Sequence, residues 1–328
     1  MRTTNMDKIL LSHGGGGKLT RKLEELYLRY FENEKLKELD DGAIFDGYAI
    51  STDSFVVNPI FFPGGDIGKL SVCGTVNDLV SMGAKPVYLS LSFILEEGFL
   101  IQDLERILYS IRKTCDEAGV EIVTGDTKVV ERGKGDGIYI NTTGIGKVLM
   151  PELSRERIKP GDLILVNGPV GMHGISVMVA REKLGIEGKI ESDCAPLTFL
   201  LSLPPGVKFM RDPTRGGVAS VLNEVVKGME WGVVINQEQI PVTPEVSGVC
   251  ELLGIDILTV ACEGRMLLFV EREKADEVLQ GMRRHPLGKE STIIGEVVDE
   301  PGVVLLKTPF GTHRRIEPPP GESLPRIC

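Results

Sequence analysis

The stretch GKLSVCGTVNDLVSMGAKP, residues 68–86, decides how the chain is read. Leu70, Val76, Leu79, Val80 and Met82 recur at helical spacing, so the pattern predicts a helix over 68–86 with Asn77 and Asp78 in its middle. An amide and a carboxylate among apolar neighbours need partners, because a buried unsatisfied polar group costs about 1–3 kcal/mol. A structural hydrogen-bonded pair and contact with a metal or nucleotide both answer that need.

Working outward, Val87 to Leu95 reads as a strand, 101–118 as a helix, and Val120 to Val123 as a strand running into Thr124-Gly125-Asp126-Thr127-Lys128. Glycine permits close backbone approach, and Asp126 with Lys128 sets opposite charges at a strand end, where ligands of α/β sheets collect. A surface ion pair gives the same pattern. Upstream, Asp40-Asp41 opens a β-rich section, Asp53 follows the run Ala49 to Thr52, and 61–66 reads as an apolar hairpin. Such aspartates serve turns as well as ligands. Residues 19–38 carry Leu19, Leu23, Leu26, Tyr27, Tyr30 and Phe31 at helical spacing, behind the glycine loop Ser12 to Thr20. That loop, with Gly15, Gly16 and Lys18, suits phosphate wrapping or a linker, and it is neither a Walker A loop nor a dinucleotide fingerprint.

Texture breaks at Met150-Pro151 and Lys159-Pro160-Gly161, where a domain boundary is expected. The second half is again mixed α/β, with strands at 163–166, 266–270, 291–298 and 303–307 and helices at 175–183, 218–227 and 274–284. A second acidic and basic cluster, Arg211-Asp212-Pro213-Thr214-Arg215-Gly216-Gly217, leads into one helix, and Cys262-Glu263-Gly264 precedes a strand. The chain closes on Glu317-Pro318-Pro319-Pro320-Gly321 and then Pro325-Arg326-Ile327-Cys328. Consecutive prolines favour an extended spacer, and the dozen residues from Ile316 span about 35–40 Å. A terminal thiol fills no core position, so it is either a solvated accident or a reacting group on a tether.

Composition bounds the rest. With 328 residues, 42% apolar and 26% charged, the chain is a globular protein large enough for two domains. A formal charge of −10 argues against nucleic acid as a partner. Six cysteines without a C-x-x-C pair, a start without an apolar signal region and no membrane-length apolar run predict free thiols in a cytoplasmic protein. Four scattered histidines show no zinc spacing.

In order along the chain, HGGGG (13–17), DDGA (40–43), FFPGGDIGKL (61–70), CGTVNDLVSMGA (73–84), VTGDTKVVE (123–131), RDPTRGG (211–217), GVCELLG (248–254) and the terminal PRIC resemble one family. It is the HypE carbamoyl dehydratases of hydrogenase maturation, within the PurM-like (aminoimidazole ribonucleotide synthetase) superfamily. The resemblance implies a two-domain mixed α/β fold with a flexible C-terminal tail. Its parts are a glycine loop and helix (1–39), an ATP-binding and dimerisation domain (40–150), a C-terminal α/β domain (151–312) and the tail (313–328). The implied activity is ATP-dependent dehydration of an S-carboxamide on Cys328 to an S-cyanide (thiocyanate), supplying cyanide for the NiFe-hydrogenase centre. Implied cofactors are ATP and Mg²⁺. Implied partners are the carbamoyltransferase HypF as donor, the HypC–HypD complex as acceptor, and a second copy in a homodimer.

Carried onto this sequence, the resemblance makes Cys328 the carrier and Lys128 and Glu263 the groups that remove the carboxamide protons. Asp41, Asp53, Asp78 and Asp212 would hold the metal, and Gly15, Gly16, Lys18, Asn77, Gly125 and Asp126 the nucleotide. Three departures stand out: Met172 where relatives commonly have Asp, Cys262 in place of Asn before Glu263, and Asn223 where some relatives have His. No metal role is therefore expected at Met172 and no catalytic histidine at 223. Selenophosphate and aminoimidazole ribonucleotide synthetases share the superfamily but have no use for a terminal PRIC. A non-catalytic carrier would leave the aspartate clusters without a purpose.

Overall fold

In the computed structural model, residues 8–14, 17–31, 33–36, 40–182, 190–319, 324 and 326–328 are described. The first half holds a five-stranded sheet built from β1 (Ala43–Phe45), β2 (Tyr48–Phe55), β5 (Ala84–Glu96), β6 (Glu121–Val130) and β7 (Ile138–Val148), in the order β1-β2-β7-β5-β6. A small hairpin, β3 (Phe61–Phe62) and β4 (Gly65–Asp66), feeds α2 (Ile67–Ser81). Helices α1 (Gly17–Phe31) and α3 (Ile101–Ala118) complete this half.

The second half holds a seven-stranded sheet of β8 (Leu163–Val166), β9 (Val207–Arg211), β10 (Gly232–Asn236), β11 (Leu267–Val270), β12 (Thr292–Val298), β13 (Val304–Lys307) and β14 (His313–Arg315). Its order is β14-β13-β10-β12-β8-β11-β9. The helices here are α4 (Met172–Glu182), α5 (Gly217–Val225), α6 (Pro244–Leu253) and α7 (Ala275–Arg283). The fold is thus the two-domain mixed α/β arrangement expected.

α2 is the spine between the halves, and of its residues only Lys69 and Asp78 are not buried. Asp66 caps it, accepting from the N–H groups of Gly68 (2.8 Å) and Lys69 (3.0 Å), which satisfies two orphan donors of the first turn. One flank meets the first sheet so closely that a Cβ on Gly74 would lie 2.8 Å from the Phe55 ring. Its other flank reaches the second half: Cys73 and Val76 share a core with Val177, Cys194 and Ala261. Val80 packs with Leu197, Leu200 and Met210.

Three element boundaries differ from expectation. The helix of 68–86 ends at Ser81, because Gly83 takes a left-handed conformation and Ala84 to Glu96 then extend as β5. The helix of 19–38 ends at Phe31, and Leu26, Tyr27, Tyr30 and Phe31 are exposed. The strand expected to stop at Val123 runs on to Val130, so Gly125, Asp126 and Lys128 sit within an edge strand. A Cβ on Gly125 would lie 2.0 Å from the Leu91 carbonyl oxygen, so this glycine lets β6 stay paired with β5 where another residue would push it away.

Candidate active site

Side chains of the two halves meet in a candidate cleft, and one of its walls is acidic. Asp41 precedes β1, Asp78 rides on the last turns of α2, and Asp212 follows β9. A carboxylate oxygen from each comes within 4.8 Å of the other two. Ser51 donates to Asp78 Oδ2 (2.6 Å), and Ser81 Oγ lies 2.9 Å from Asp41 Oδ2. Behind them Arg211 pairs through Nε with Asp41 (3.0 Å) and through Nη1 with Asp40 (2.9 Å). Burial pushes Asp212 up to about 8, helped by Asp41 and opposed by Arg211. Burial, then Asp212, Asp41 and Asp53, holds Asp78 well above the carboxylate range, and burial also raises Asp53. Clustered carboxylates that repel each other this way favour a bound cation, and an all-oxygen donor set suits a hard one such as Mg²⁺.

The facing wall is the chain's own C-terminus. Asn223 Nδ2 donates to the Ile316 carbonyl (3.2 Å), and Pro319 crosses close over Gly216. The last residues then lie beside segment 56–58. Asn58 N–H donates to Arg326 O (3.1 Å), Val56 N–H to Cys328 O (3.2 Å), and Arg326 Nε returns a bond to Val56 O (2.9 Å). Arg326 also pairs with Asp136. From α4, Arg181 Nη2 donates to Arg326 O (2.7 Å) and His173 Nε2 lies 2.9 Å from Ile327 O. Ile327 is buried, and Leu324 and Cys328 pack against the same apolar core. The terminal thiol expected on a flexible tail is therefore seated in the cleft.

Where the walls meet stand Arg215 and Glu263. The Cys328 end of the chain is the strongest electrostatic partner of Arg215, followed by Asp53, Glu263 and Asp78. Glu263 is 3% exposed, and its Oε1 is buried without a hydrogen-bond partner. Burial first, then Cys194, Asp212, Asp53 and Asp193, keeps this carboxyl well above its usual range. Its main chain is fixed at both ends: Glu263 N–H donates to Asp193 Oδ1 (3.2 Å) and its carbonyl accepts from Asn77 Nδ2 (3.1 Å). A buried oxygen with no hydrogen-bond partner, under the charge of Asp212, Asp53 and Arg215, is a candidate place for a reacting group.

The first half matches the AIR synthase related N-terminal domain over residues 39–148, and the second the corresponding C-terminal domain over 159–307. Carbamoyl dehydratase HypE of Cupriavidus necator is 47% identical over 333 residues, covering 98% of this chain and 95% of its own length. The chain belongs to the HypE family. A chain of the crystal structure of a HypE–HypF complex superposes with TM-score 0.87 at 47% identity, covering 90% of this chain and 99% of that one. A HypE crystallised in complex with ATP gives TM-score 0.82 at 42% identity, covering 98% and 100%.

Against the residues carried over from the HypE family, Asp41, Asp78 and Asp212 converge, with Asp53, Glu263 and Cys328 in the same cleft. Asn77 needs correction as a nucleotide ligand. It is 1% exposed, its Nδ2 donates to Ala195 O and Glu263 O (both 3.1 Å), and its Oδ1 accepts from Leu197 N–H (2.8 Å). Asn77 clamps the two halves together. Gly125, Asp126 and Lys128 do not join the cleft within one chain. Through the pairs Asp53–Thr142, Leu91–Thr142 and Leu91–Gly125, three strand spacings separate Asp53 from Gly125, about 14 Å. Lys128 and Asp126 pair with each other at 2.8 Å, both exposed. Gly15 and Gly16 lie outside the described residues, and Lys18 falls in the first turn of α1.

The three residues singled out as departures in the sequence have structural work. Cys262 Sγ accepts from Gly171 N–H (3.1 Å), Met172 Sδ meets Arg265 Nη2 (3.8 Å), and Asn223 pins the root of the tail. Arg215, His173 and Arg181 escaped the sequence reading. Arg215 stood in a cluster already singled out, whereas Arg181 looks like any solvated helix arginine.

Proposed function

We propose that this chain dehydrates an S-carboxamide carried on its own Cys328 to an S-cyanide, driven by ATP, for assembly of a NiFe-hydrogenase centre. The observation that carries the reading is Cys328 bonded through its carbonyl to Val56 N–H (3.2 Å), three residues beyond Asp53, with Arg215 under the charge of both Cys328 and the orphaned Glu263. In net terms R–S–C(=O)–NH₂ and ATP give R–S–C≡N, ADP, phosphate and a proton. The carboxamide oxygen becomes a leaving group once phosphorylated, and both N–H protons depart, so the site must orient the amide and receive protons.

Each residue has a part. Arg215 draws the terminus inward and offsets the negative charge of Asp53 and Glu263. Glu263 is the group beside the tail that receives an N–H proton, and Asp193 and Asn77 hold its main chain still. Asp41, Asp78 and Asp212, with Asp53 adjoining, would hold Mg²⁺, which when bound neutralises phosphate charge. Arg211 keeps Asp41 aimed into the cleft.

HypF is the carbamoyl donor and HypC–HypD the cyanide acceptor in this reading, in the cytoplasm; among the described residues no helix is long and apolar enough to cross a membrane. The partition into 1–39, 40–150, 151–312 and 313–328 belongs to it as well. A homodimer across β6 accords with that edge strand's exposure and with the apolar Ile122, Val123 and Val129 upon it. Lys128, on the same edge, reaches a cleft only across such an interface. The test is intact-mass spectrometry after incubation with HypF, carbamoyl phosphate and Mg-ATP. The expected result is gain of one carbamoyl group and then loss of one water, both absent in Cys328→Ala. An unmodified terminus beside phosphorylated small molecules would overturn the proposal.

A further inference from the structure

Four of the bonds that hold the tail's last three residues end on main-chain carbonyls, from Asn58, Val56, Arg181 and His173, while Arg326 adds two through its side chain. The Ile327 carbonyl is the most informative of these, because it immediately precedes Cys328 and so fixes where the thiol-bearing carbon stands. His173 Nε2 lies 2.9 Å from that oxygen, and Nδ1 lies 2.8 Å from Ser192 Oγ. A carbonyl only accepts, so Nε2 carries the proton and Nδ1 of the neutral ring accepts from the Ser192 hydroxyl. Ser192 Oγ in turn accepts from Cys194 N–H (3.1 Å). Donors therefore run in one direction, from Cys194 N–H through Ser192 and His173 to Ile327 O. The ring is wholly buried and edge-on to Phe62 at 5.3 Å, with both nitrogens engaged.

Segment 192–194 gives this relay its significance. Asp193, between the two relay residues, accepts from Glu263 N–H, and a Cβ on Gly264 would lie 1.8 Å from the Asp193 carbonyl oxygen. The strand of chain that orients His173 is thus the one against which Glu263 is registered. Arg181, one helix face along from His173, adds bonds to Arg326 O and Asn58 O (both 2.7 Å).

We propose that His173, fixed in one tautomer by Ser192 and backed by Arg181, is a positioning residue that seats the tail's main chain so that Cys328 meets Glu263 in reacting register. The seating is a matter of geometry; its consequence for dehydration rests on the function proposed above. Misplacement by about 1 Å is enough to lower a rate about a hundredfold, so a main-chain clamp on the residue next to the carrier has direct leverage.

The test uses the full chain as wild type, His173→Ala, His173→Gln and Arg181→Met. Iodoacetamide labelling of Cys328 is followed by mass spectrometry of the terminal peptide, the five buried cysteines serving as an internal check on folding. Labelling should quicken about three- to tenfold in His173→Ala and in Arg181→Met, and stay within about twofold of wild type in His173→Gln, whose amide replaces the Nε2–H donor. For turnover, Cys328 is carbamoylated with cyanate and given Mg-ATP. In His173→Ala, kcat for water loss should fall about tenfold or more with KM for ATP unchanged, and His173→Gln should recover much of it. Labelling rates in His173→Ala and Arg181→Met equal to wild type would overturn the clamp, as would a raised KM for ATP at unchanged kcat. Absence of water loss in the wild-type chain would overturn the dehydratase reading instead, and the labelling series would still decide the clamp.

Discussion

The two walls of the cleft are made differently. Asp41, Asp78 and Asp212 present side-chain oxygens from three separate elements, and burial with mutual repulsion leaves them short of positive charge. Opposite them, His173, Arg181, Val56 and Asn58 donate to the main-chain carbonyls of Arg326, Ile327 and Cys328, so each of these acceptors is already paired. One wall waits for something to arrive and the other holds something that belongs to the chain. On the function proposed, the difference is a division of labour: charge chemistry comes from outside with the nucleotide, whereas the reacting group is delivered by a peptide held largely through its backbone. Glu263, with an unpartnered oxygen, stands on the seam.

Breaking the acidic wall alone should have the largest effect. Asp78→Asn should lower ATP-dependent water loss from S-carbamoylated Cys328 about 10²- to 10³-fold, measured by mass under single turnover, while carbamoylation of the thiol itself continues. Breaking the tail's path comes next. Removal of residues 320–323 takes at most about 12 Å from the reach of the chain between its root at Ile316, still pinned by Asn223, and its terminus. Dehydration should fall at least about tenfold with Cys328 intact, and full activity would contradict a tail that must span root and cleft.

Loosening the joint between the walls is a stability effect. Asn77→Ala strips partners from Ala195 O, Glu263 O and Leu197 N–H and should cost about 2–4 kcal/mol in denaturant unfolding. The smallest effect sharpens the comparison through pH. Burial lowers the pKa of His173 below 6.5, against the opposing influence of Asp193 and the Ile327 bond. Below about pH 6.5 the unfolded chain then binds a proton that the folded chain does not. Stability from this group is complete above that pH and is lost as pH falls toward the lower folded value. His173→Gln should flatten that limb of the melting-temperature profile, and an unchanged profile would remove His173 from the account.

Much of the acidic wall was legible only through the family resemblance, because each aspartate by itself fits a turn as well as a ligand: DDGA, CGTVND and RDPTRGG each supplied a residue now found within one cluster. Helical and strand periodicity likewise located most elements of both sheets. Asn77 and Asp78 show where such reading stops. They are neighbours in sequence, yet a helix turns consecutive residues about 100° apart, so one faces the second half and the other the cleft. The strand carrying Lys128 and Asp126 was misjudged for a related reason, since β6 was read as ending where Gly125 in fact lets it continue. The bonds to the tail's carbonyls left no mark, because main-chain recognition requires particular backbone atoms and not particular residue types. Arg181 and His173 enter it from a helix whose sequence reads as ordinary packing.

The claim that unites both walls is that the carboxamide on Cys328 is dehydrated inside the protein that carries it. Single-turnover mass spectrometry of the S-carbamoylated chain with Mg-ATP, over a hundredfold dilution, tests it most directly. The account predicts loss of one water with a first-order constant that does not change with concentration. A rate that falls in proportion to dilution, or a carboxamide that persists beside consumed ATP, would contradict it.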